Sequence, residues 1–332
     1  MKIKLSDIAR IAGVSKATAS RALRNSPLVK DETRQLVIET AKALKYQPNA
    51  LAQAMATKRS GIIGFLMYRK GPPYVAHTFY GPILDGAIEA AANHGYHIVL
   101  AASNDIADTF DEHFIQDSID GALLVSYHSK EVIKEFRRRG IPLVVINDWV
   151  ESENNTFILD DNYNGTCAIM KYLIVEKGHK KIAHITERLD HPSYHIRYKA
   201  FKDMLALYEI PDLYECVSAH DTTFASGVEA MSHLLSYDTP PTAVFATTDT
   251  LALGAMHAAK SAGFRIPEDI AIAGYDDIEA ASMSDPPLTT VRVDRENIGK
   301  TAVDALVKQI ANAGEPTRKI VIKNKLVVRA ST

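Results

Sequence analysis

From residue 62 onward, eight short apolar runs alternate with amphipathic stretches, and this alternation narrows the fold more than any other feature of the chain. The runs read GIIGFLMY, YHIVLAAS, GALLVSYH, PLVVIND, FILDDN, KIAHIT, TAVFATT and DIAIAGYD. Between them, residues 81–95, 131–140, 164–178, 198–208, 225–236 and 250–263 carry apolar side chains at helical spacing. Strand then helix, repeated, predicts an α/β body with parallel sheets, and near-continuous apolar strands are those covered on both faces. Eight or more strands over roughly 270 residues suit one large sheet or two Rossmann-like lobes. Acidic and polar residues end the fifth run, as expected where a chain crosses between lobes.

The first 60 residues are of another kind. They hold 12 of the chain's 38 Lys and Arg but only 4 of its 40 Asp and Glu, so a basic head precedes an acidic body. That asymmetry is the electrostatic footprint of a nucleic-acid binder, the alternative being a merely solvated basic surface. Three short helices are predicted. Ser6 caps the first, Asp7 suits its first turn, and Ile8, Ala9, Ile11 and Ala12 form its apolar stripe. Gly13 stops it, and Ser15 caps a second helix with Ala19, Ala22 and Leu23 inward. A third spans 31–44, with Leu36, Val37, Ala41 and Leu44 inward.

Two short helices joined by a glycine-containing turn make a helix-turn-helix, whose second helix enters the major groove. Lys16, Ala17 and Arg21 stand where base edges are read: Arg21 can fork onto guanine, Lys16 less rigidly, and the Ala17 methyl suits thymine. Ser15, Thr18 and Ser20 suit phosphate oxygens.

Other classes find little support. The longest apolar-rich run, SGIIGFLMY, is about half a membrane span. The N-terminus has no apolar signal-peptide block, and two cysteines fit a reducing cytosol. No nucleophile elbow, phosphate-cradling loop or His-Glu-x-x-His occurs, so neither an enzyme nor a cofactor is expected. His191 and His195 have helical spacing, but a proline follows the first and no further ligand completes a metal site.

The head segment LSDIARIAGVSKATASRAL, followed by VKDETRQLVIETAKALKYQPNALAQAM, resembles the lactose-repressor/galactose-repressor family of bacterial transcription regulators. The resemblance continues through DDNYNG, GHKKIAHIT, RYKAF, TDTLALGAM, IPEDIAIAGYDD and PPLTTVRVD, so it covers nearly the whole chain. It implies an all-α helix-turn-helix head over 1–47, a hinge over 48–60, and a two-lobed body of the periplasmic-binding-protein type over 61–332. The lobes would comprise 61–160 with 294–318, and 161–293 with 319–332.

The resemblance also assigns roles. Lys30 replaces the usual Ser-type cap of the third helix and would meet a phosphate. Tyr46 and Asn49 belong to the head's exit, and Met55, where the family usually has Leu, would wedge into the central base step of a pseudo-palindromic operator bound by a homodimer. In the body, Phe79, Tyr80, Asp161, Arg197, Phe224, Thr248 and Asp276 match positions that face a small effector, with His195 or Tyr194 on the pocket wall. Ala200 departs from the family's glycine.

Elementary chemistry agrees with a sugar: acid and guanidinium forks meet vicinal hydroxyls, and a ring covers a C–H face. Core packing is the other reading of Phe79, Tyr80 and Phe224, and a mutual ion pair the other reading of Arg197 and Asp276. Asp249 and Asp277 are expected to be structural. The function expected is a cytoplasmic, operator-specific regulator, a repressor by the family's habit, controlled by a sugar or sugar derivative. A solute-binding transport protein would share the body but has no use for the head.

Overall fold

In the basic head, helices α1 (Leu5–Ile11), α2 (Lys16–Leu23) and α3 (Asp31–Ala43) close over Ile8, Ala9, Ala12, Ala19, Ala22, Val29, Val37 and Ala41. These come from a computed structural model, which describes residues 3–23, 26–46, 59–68, 75–103, 118–125, 130–147, 155–187, 189, 191–214, 216–219, 221–312 and 314–332. Two sequence expectations change here. Helix α1 starts a residue before Ser6, and the Asp7 carboxylate accepts the Lys4 N–H at 2.9 Å, so Asp7 rather than Ser6 serves the helix start. Ile11 and Leu36 are 52% and 49% exposed rather than inward, because a core of small alanines closes without them.

Residues Ile62–Thr332 form the second unit. Its first sheet is parallel throughout, in the order β11-β5-β4-β3-β1-β2, built from β1 (Ile62–Tyr68), β2 (His97–Ser103), β3 (Gly121–Val125), β4 (Leu143–Ile146), β5 (Thr156–Asp160) and β11 (Lys319–Ile322). A second parallel sheet runs β7-β6-β8-β9, from β6 (Ile182–Thr186), β7 (Val217–Ser218), β8 (Ala243–Ala246) and β9 (Ala271–Ala273). A short antiparallel pair, β10 (Thr290–Arg292) with β12 (Lys325–Val327), completes the strands among the described residues. All eight apolar runs are strands, and β3 and β4 are buried at every residue, as a sheet covered on both faces requires.

The helices are α4 (Tyr80–Asn93), α5 (Lys130–Arg138), α6 (Asn162–Lys171, continuing as a π turn over Tyr172–Glu176), α7 (Pro192–Leu207), α8 (Phe224–Leu235), α9 (Asp249–Ser261), α10 (Glu279–Met283) and α11 (Arg295–Ala311). None among the described residues is long and apolar enough to cross a membrane.

Each lobe holds one helix pair in backbone-to-backbone contact. On α4 and α11, a Cβ at Gly86 would strike the Glu296 carbonyl, and one at Gly299 the Ile83 carbonyl. On α8 and α9, a Cβ at Gly227 would strike the Leu251 carbonyl, and one at Gly254 the Phe224 carbonyl. Glycine is what lets these axes approach so closely.

The chain passes between the lobes three times: after β5, between β10 and α11, and between β11 and β12. The last crossing departs from expectation. Residues 319–322, expected in the second lobe, pair with β5 in the first sheet, so the chain returns only beyond Ile322. The alternating pattern Lys319–Ile322 is that of an edge strand with one face packed and one solvated, which the search for continuous apolar runs passes over. The Asp161 N–H donates to the Ile322 carbonyl at 2.9 Å, so the first and third crossings are bonded to each other.

Candidate functional site

In the head, the outer side of α2 is exposed. Ser15 Oγ accepts the Thr18 N–H at 3.0 Å and shares a 2.8 Å hydrogen bond with Thr18 Oγ1, so it caps α2 as its sequence position predicts. Ala19 and Ala22 fix the inward side of α2. Lys16 and Ala17 are left exposed on the first turn, with Ser20 and Arg21 four residues on. Arg34 donates to the Ser26 and Val29 carbonyls at 3.1 and 2.9 Å, pinning the turn before α3, where Lys30 stands exposed and makes no side-chain cap bond. Tyr46 packs half-buried against the head's core. Asn49 and Met55 lie outside the described residues, as does the rest of 47–58.

In the body the site grows from the carboxyl ends of strands, where ligands of open α/β sheets sit. Arg197, on α7 after β6, is 2% exposed. Its Nε donates to Asn162 Oδ1 at 2.6 Å and its Nη1 to the Thr247 carbonyl at 2.5 Å. Asp160, at the end of β5, and Asp276, beyond β9, flank it at 3.6 Å each. Burial works against its charge, but Asp276, Tyr275 and Asp160 together raise its pKa above the ordinary arginine value. The ion pair between Arg197 and Asp276, one of the two readings of these residues, is therefore formed, loosely.

Asp276 is 6% exposed, and its Oδ1 has no hydrogen-bond partner among the described residues. Burial pushes its carboxyl up to about 7 against the pull of Arg197 and Arg295. The backbone is held in a costly shape, φ +110° at Asp276 and +54° at Asp277. Asp277 supplies the restraint: its carboxylate accepts from Arg292 Nε and Arg329 Nη2, both at 2.6 Å. Burial opposes its charge, yet these two bonds hold its carboxyl below the usual range. Asp249 is wholly buried, bonded by Thr290 Oγ1 at 2.5 Å and the Ile278 N–H at 2.8 Å, and burial holds its carboxyl far above the usual value. Both are structural, as expected.

The aromatic candidates come from both lobes. Phe79 and Tyr80 open α4, edge to face at 5.2 Å, and His77 Nδ1 accepts their two N–H groups. Phe224 opens α8, 45% exposed, its ring 5.5 Å from that of His257. Thr223 caps that helix by accepting the Ser226 N–H.

Two expected site residues cap helices, and a third is exposed. The Asp161 carboxylate caps α6, accepting the Asn164 N–H at 3.3 Å, while its neighbour Asp160 faces Arg197. Thr248 Oγ1 caps α9, accepting the Leu251 N–H at 3.3 Å, while the Thr247 carbonyl meets the arginine. His195 is exposed on α7, and Tyr194 takes the wall position, its ring 5.9 Å from the Arg197 guanidinium. Burial, then Glu187 and Tyr80, push the Tyr194 phenol far above its usual pKa. His191 caps α7 through Nδ1, accepting the Ser193 N–H at 3.3 Å, which leaves the helix-spaced histidines with separate tasks.

Tyr194 is the second of the two wall candidates expected, whereas Asp160 and Asn162, which flank Arg197, were not among the expected residues. Asp160 ends β5, a strand buried at nearly every residue, and Asn162 follows it by two residues, but neither has a motif of its own.

Comparison with known proteins agrees with this division. Residues 4–49 match the family described as bacterial regulatory proteins, lacI family, and residues 172–332 match the periplasmic binding protein-like domain. Catabolite control protein A of Priestia megaterium is 30% identical over the full length of both chains. The ribose operon repressor of Escherichia coli K12 is 30% identical over 98% of this chain and 99% of its own. The lac repressor dimer bound to operator and the anti-inducer ONPF superposes with a TM-score of 0.85 at 26% identity, over 100% of this chain and 99% of that one.

Proposed function

The chain belongs to the lacI family of bacterial regulatory proteins, and on that footing we propose that it is a homodimeric repressor whose grip on operator DNA is set by a sugar-like effector held between the body's lobes. It is a regulator of transcription and not an enzyme. The work is done in the cytoplasm, where the operator is.

One observation carries the effector half. Asp276 Oδ1 is a buried acceptor with no hydrogen-bond donor among the described residues, 3.6 Å from the Nη1 of a guanidinium whose hydrogen bonds go elsewhere. A buried acceptor of this kind is costly until a donor arrives, and a hydroxyl of a polyol is such a donor. Phe79, Tyr80, Tyr194 and Phe224 offer ring faces for the C–H side of the same molecule. The E. coli relative is named for a ribose operon, which accords with a sugar.

For the DNA half, Lys16, Ala17 and Arg21 read base edges. Ser15, Thr18, Ser20 and Lys30 meet the backbone, with Tyr46 and Asn49 at the exit and Met55 at the central step. The effector acts by binding one lobe arrangement better than the other.

A thermal-shift screen over sugars, polyols and nucleosides, followed by operator titration with each stabilising compound, tests this. A compound at 100 times its dissociation constant adds about 2.7 kcal/mol to the body. A stabilising sugar that leaves operator affinity unchanged would overturn the regulatory reading.

A further inference from the structure

Arg295 opens α11 and thus belongs to the helix that packs on α4 in the first lobe. Its Nη1 donates to the Thr78 carbonyl at 2.8 Å, and its Nη2 to the Asp277 carbonyl at 2.9 Å. Thr78 immediately precedes Phe79 and Tyr80, the first lobe's aromatic wall. Asp277 immediately follows Asp276, the second-lobe acid whose Oδ1 accepts no hydrogen bond among the described residues. One planar fork therefore joins the two walls of the cleft.

We propose that Arg295 is a positioning residue for the effector, fixing the spacing between the Phe79–Tyr80 wall and Asp276 before any effector arrives. The proposal rests on the cleft as the effector site, although the bridge itself does not.

Four features make the bridge able to set a distance. Both acceptors are main-chain carbonyls, so the link pulls on backbone and is not absorbed by side-chain rotation. The guanidinium is rigid and planar, with its donors at fixed separation, whereas a lysine ammonium is a single point that cannot hold two carbonyls in the same way. The Asp277 turn is also anchored from its other side by Arg292 and Arg329, so tension on its carbonyl moves Asp276 along with it. At the other end, His77 ties the N–H groups of Phe79 and Tyr80 together, so Thr78 and the two rings shift as one piece. Arg295 also brings a second positive charge to bear on Asp276, besides Arg197.

The test uses the full chain with Cys167 and Cys216 replaced by serine and spin labels at the exposed positions Asn93 and Glu268, one on each lobe. With no sugar present, Arg295→Ala should lengthen and broaden the inter-lobe distance distribution, and Arg295→Lys should move it part of the way. D-Ribose, D-galactose and D-glucose at tens-of-millimolar concentration are the probes for binding. Whichever binds the parent chain should bind Arg295→Ala about tenfold more weakly, about 1.4 kcal/mol. An unchanged distance distribution overturns the proposal. So does a lengthened distance with unchanged sugar affinity, because the bridge would then be structural only. A lengthened distance, together with sugar binding that is indifferent to both Arg197→Ala and Asp276→Ala, keeps the spacing role and instead removes the cleft as the effector site.

Discussion

The Arg197 guanidinium lies 3.6 Å from the centre of the Tyr275 ring. The hydroxyl of that ring accepts from Asn324 Nδ2 at 2.6 Å, and the same amide donates to Asp160 at 3.0 Å. Asn324 sits on the third crossing between lobes and Asp160 at the first. The guanidinium beside Asp276 is thus stacked on a ring that residues of the two crossings hold in place.

Arg197→Ala leaves Asp160 and Asp276 facing one another in a buried site with no cation between them. Removing one partner of a buried charge network costs about 3–5 kcal/mol. Urea denaturation of the full chain measures it, and a loss below about 1 kcal/mol would show the network to be solvated.

Asp276 makes stability depend on pH in a definite direction. Its carboxyl titrates near 7 in the folded chain, above the 3.8 of an unperturbed aspartate, so the folded state holds the proton more tightly. Its contribution to stability is full below pH 3.8 and is lost as pH rises through about 7. Arg197, Arg295, Asp160, Asp249, Tyr194 and Tyr275 are charged or titratable neighbours, and all remain in an Asp276→Asn variant. The variant's stability relative to the parent should therefore climb over this window by up to about 1.4 kcal/mol per pH unit and level off above it. A relative stability flat from acid to neutral pH refutes the assignment.

Gly254→Ala should loosen the effector site from a distance. Its Cβ meets the Phe224 carbonyl, which is backbone and cannot rotate away, so α8 must move off α9 and carry the Phe224 ring with it. Overpacking of this kind costs about 1–3 kcal/mol. Calorimetry should show the lowered melting temperature, and weaker sugar binding should accompany it. A variant as stable as the parent means that the helices are not in contact there.

At the operator, Arg21→Ala should cost about 1–3 kcal/mol per half-site and relax preference at one base pair. Lys30→Ala should weaken all sequences alike. If the dimer neutralises about 8 phosphates, log K falls against log salt with a slope near −7. Unchanged selectivity in the Arg21 variant removes its base-reading role, and a slope shallower than about −2 removes the phosphate contacts.

The parallel sheets were legible because burial on both faces writes itself into continuous apolar runs. The head was legible because Gly13, Ser15 and the alanines of α2 leave few other ways to fold. Lys319–Ile322 escaped because an edge strand alternates, and α11 because its polar first turn interrupts the pattern after the Thr290–Arg292 strand. In the site, Arg197 and Asp276 followed from the resemblance. The choice of Asp160 over Asp161, and of Tyr194 over His195, depends on which side of a strand end or helix faces inward. One residue of rotation decides that, and composition does not record it. Arg295 gave no sign at all, since its partners are carbonyls lying 217 and 18 residues away.

The glycine contacts between α4 and α11, and between α8 and α9, make each lobe behave as a stiff plate. On the proposed function, a lobe so packed passes the work done by a bound effector to the three connecting threads with little lost to bending within it. Softening one plate, for example with Gly299→Ala, which pushes α11 off α4 and shifts the Phe79–Tyr80 wall, should therefore weaken sugar binding and also blunt the change in operator affinity that the remaining binding produces: a receiver with its lever unhooked.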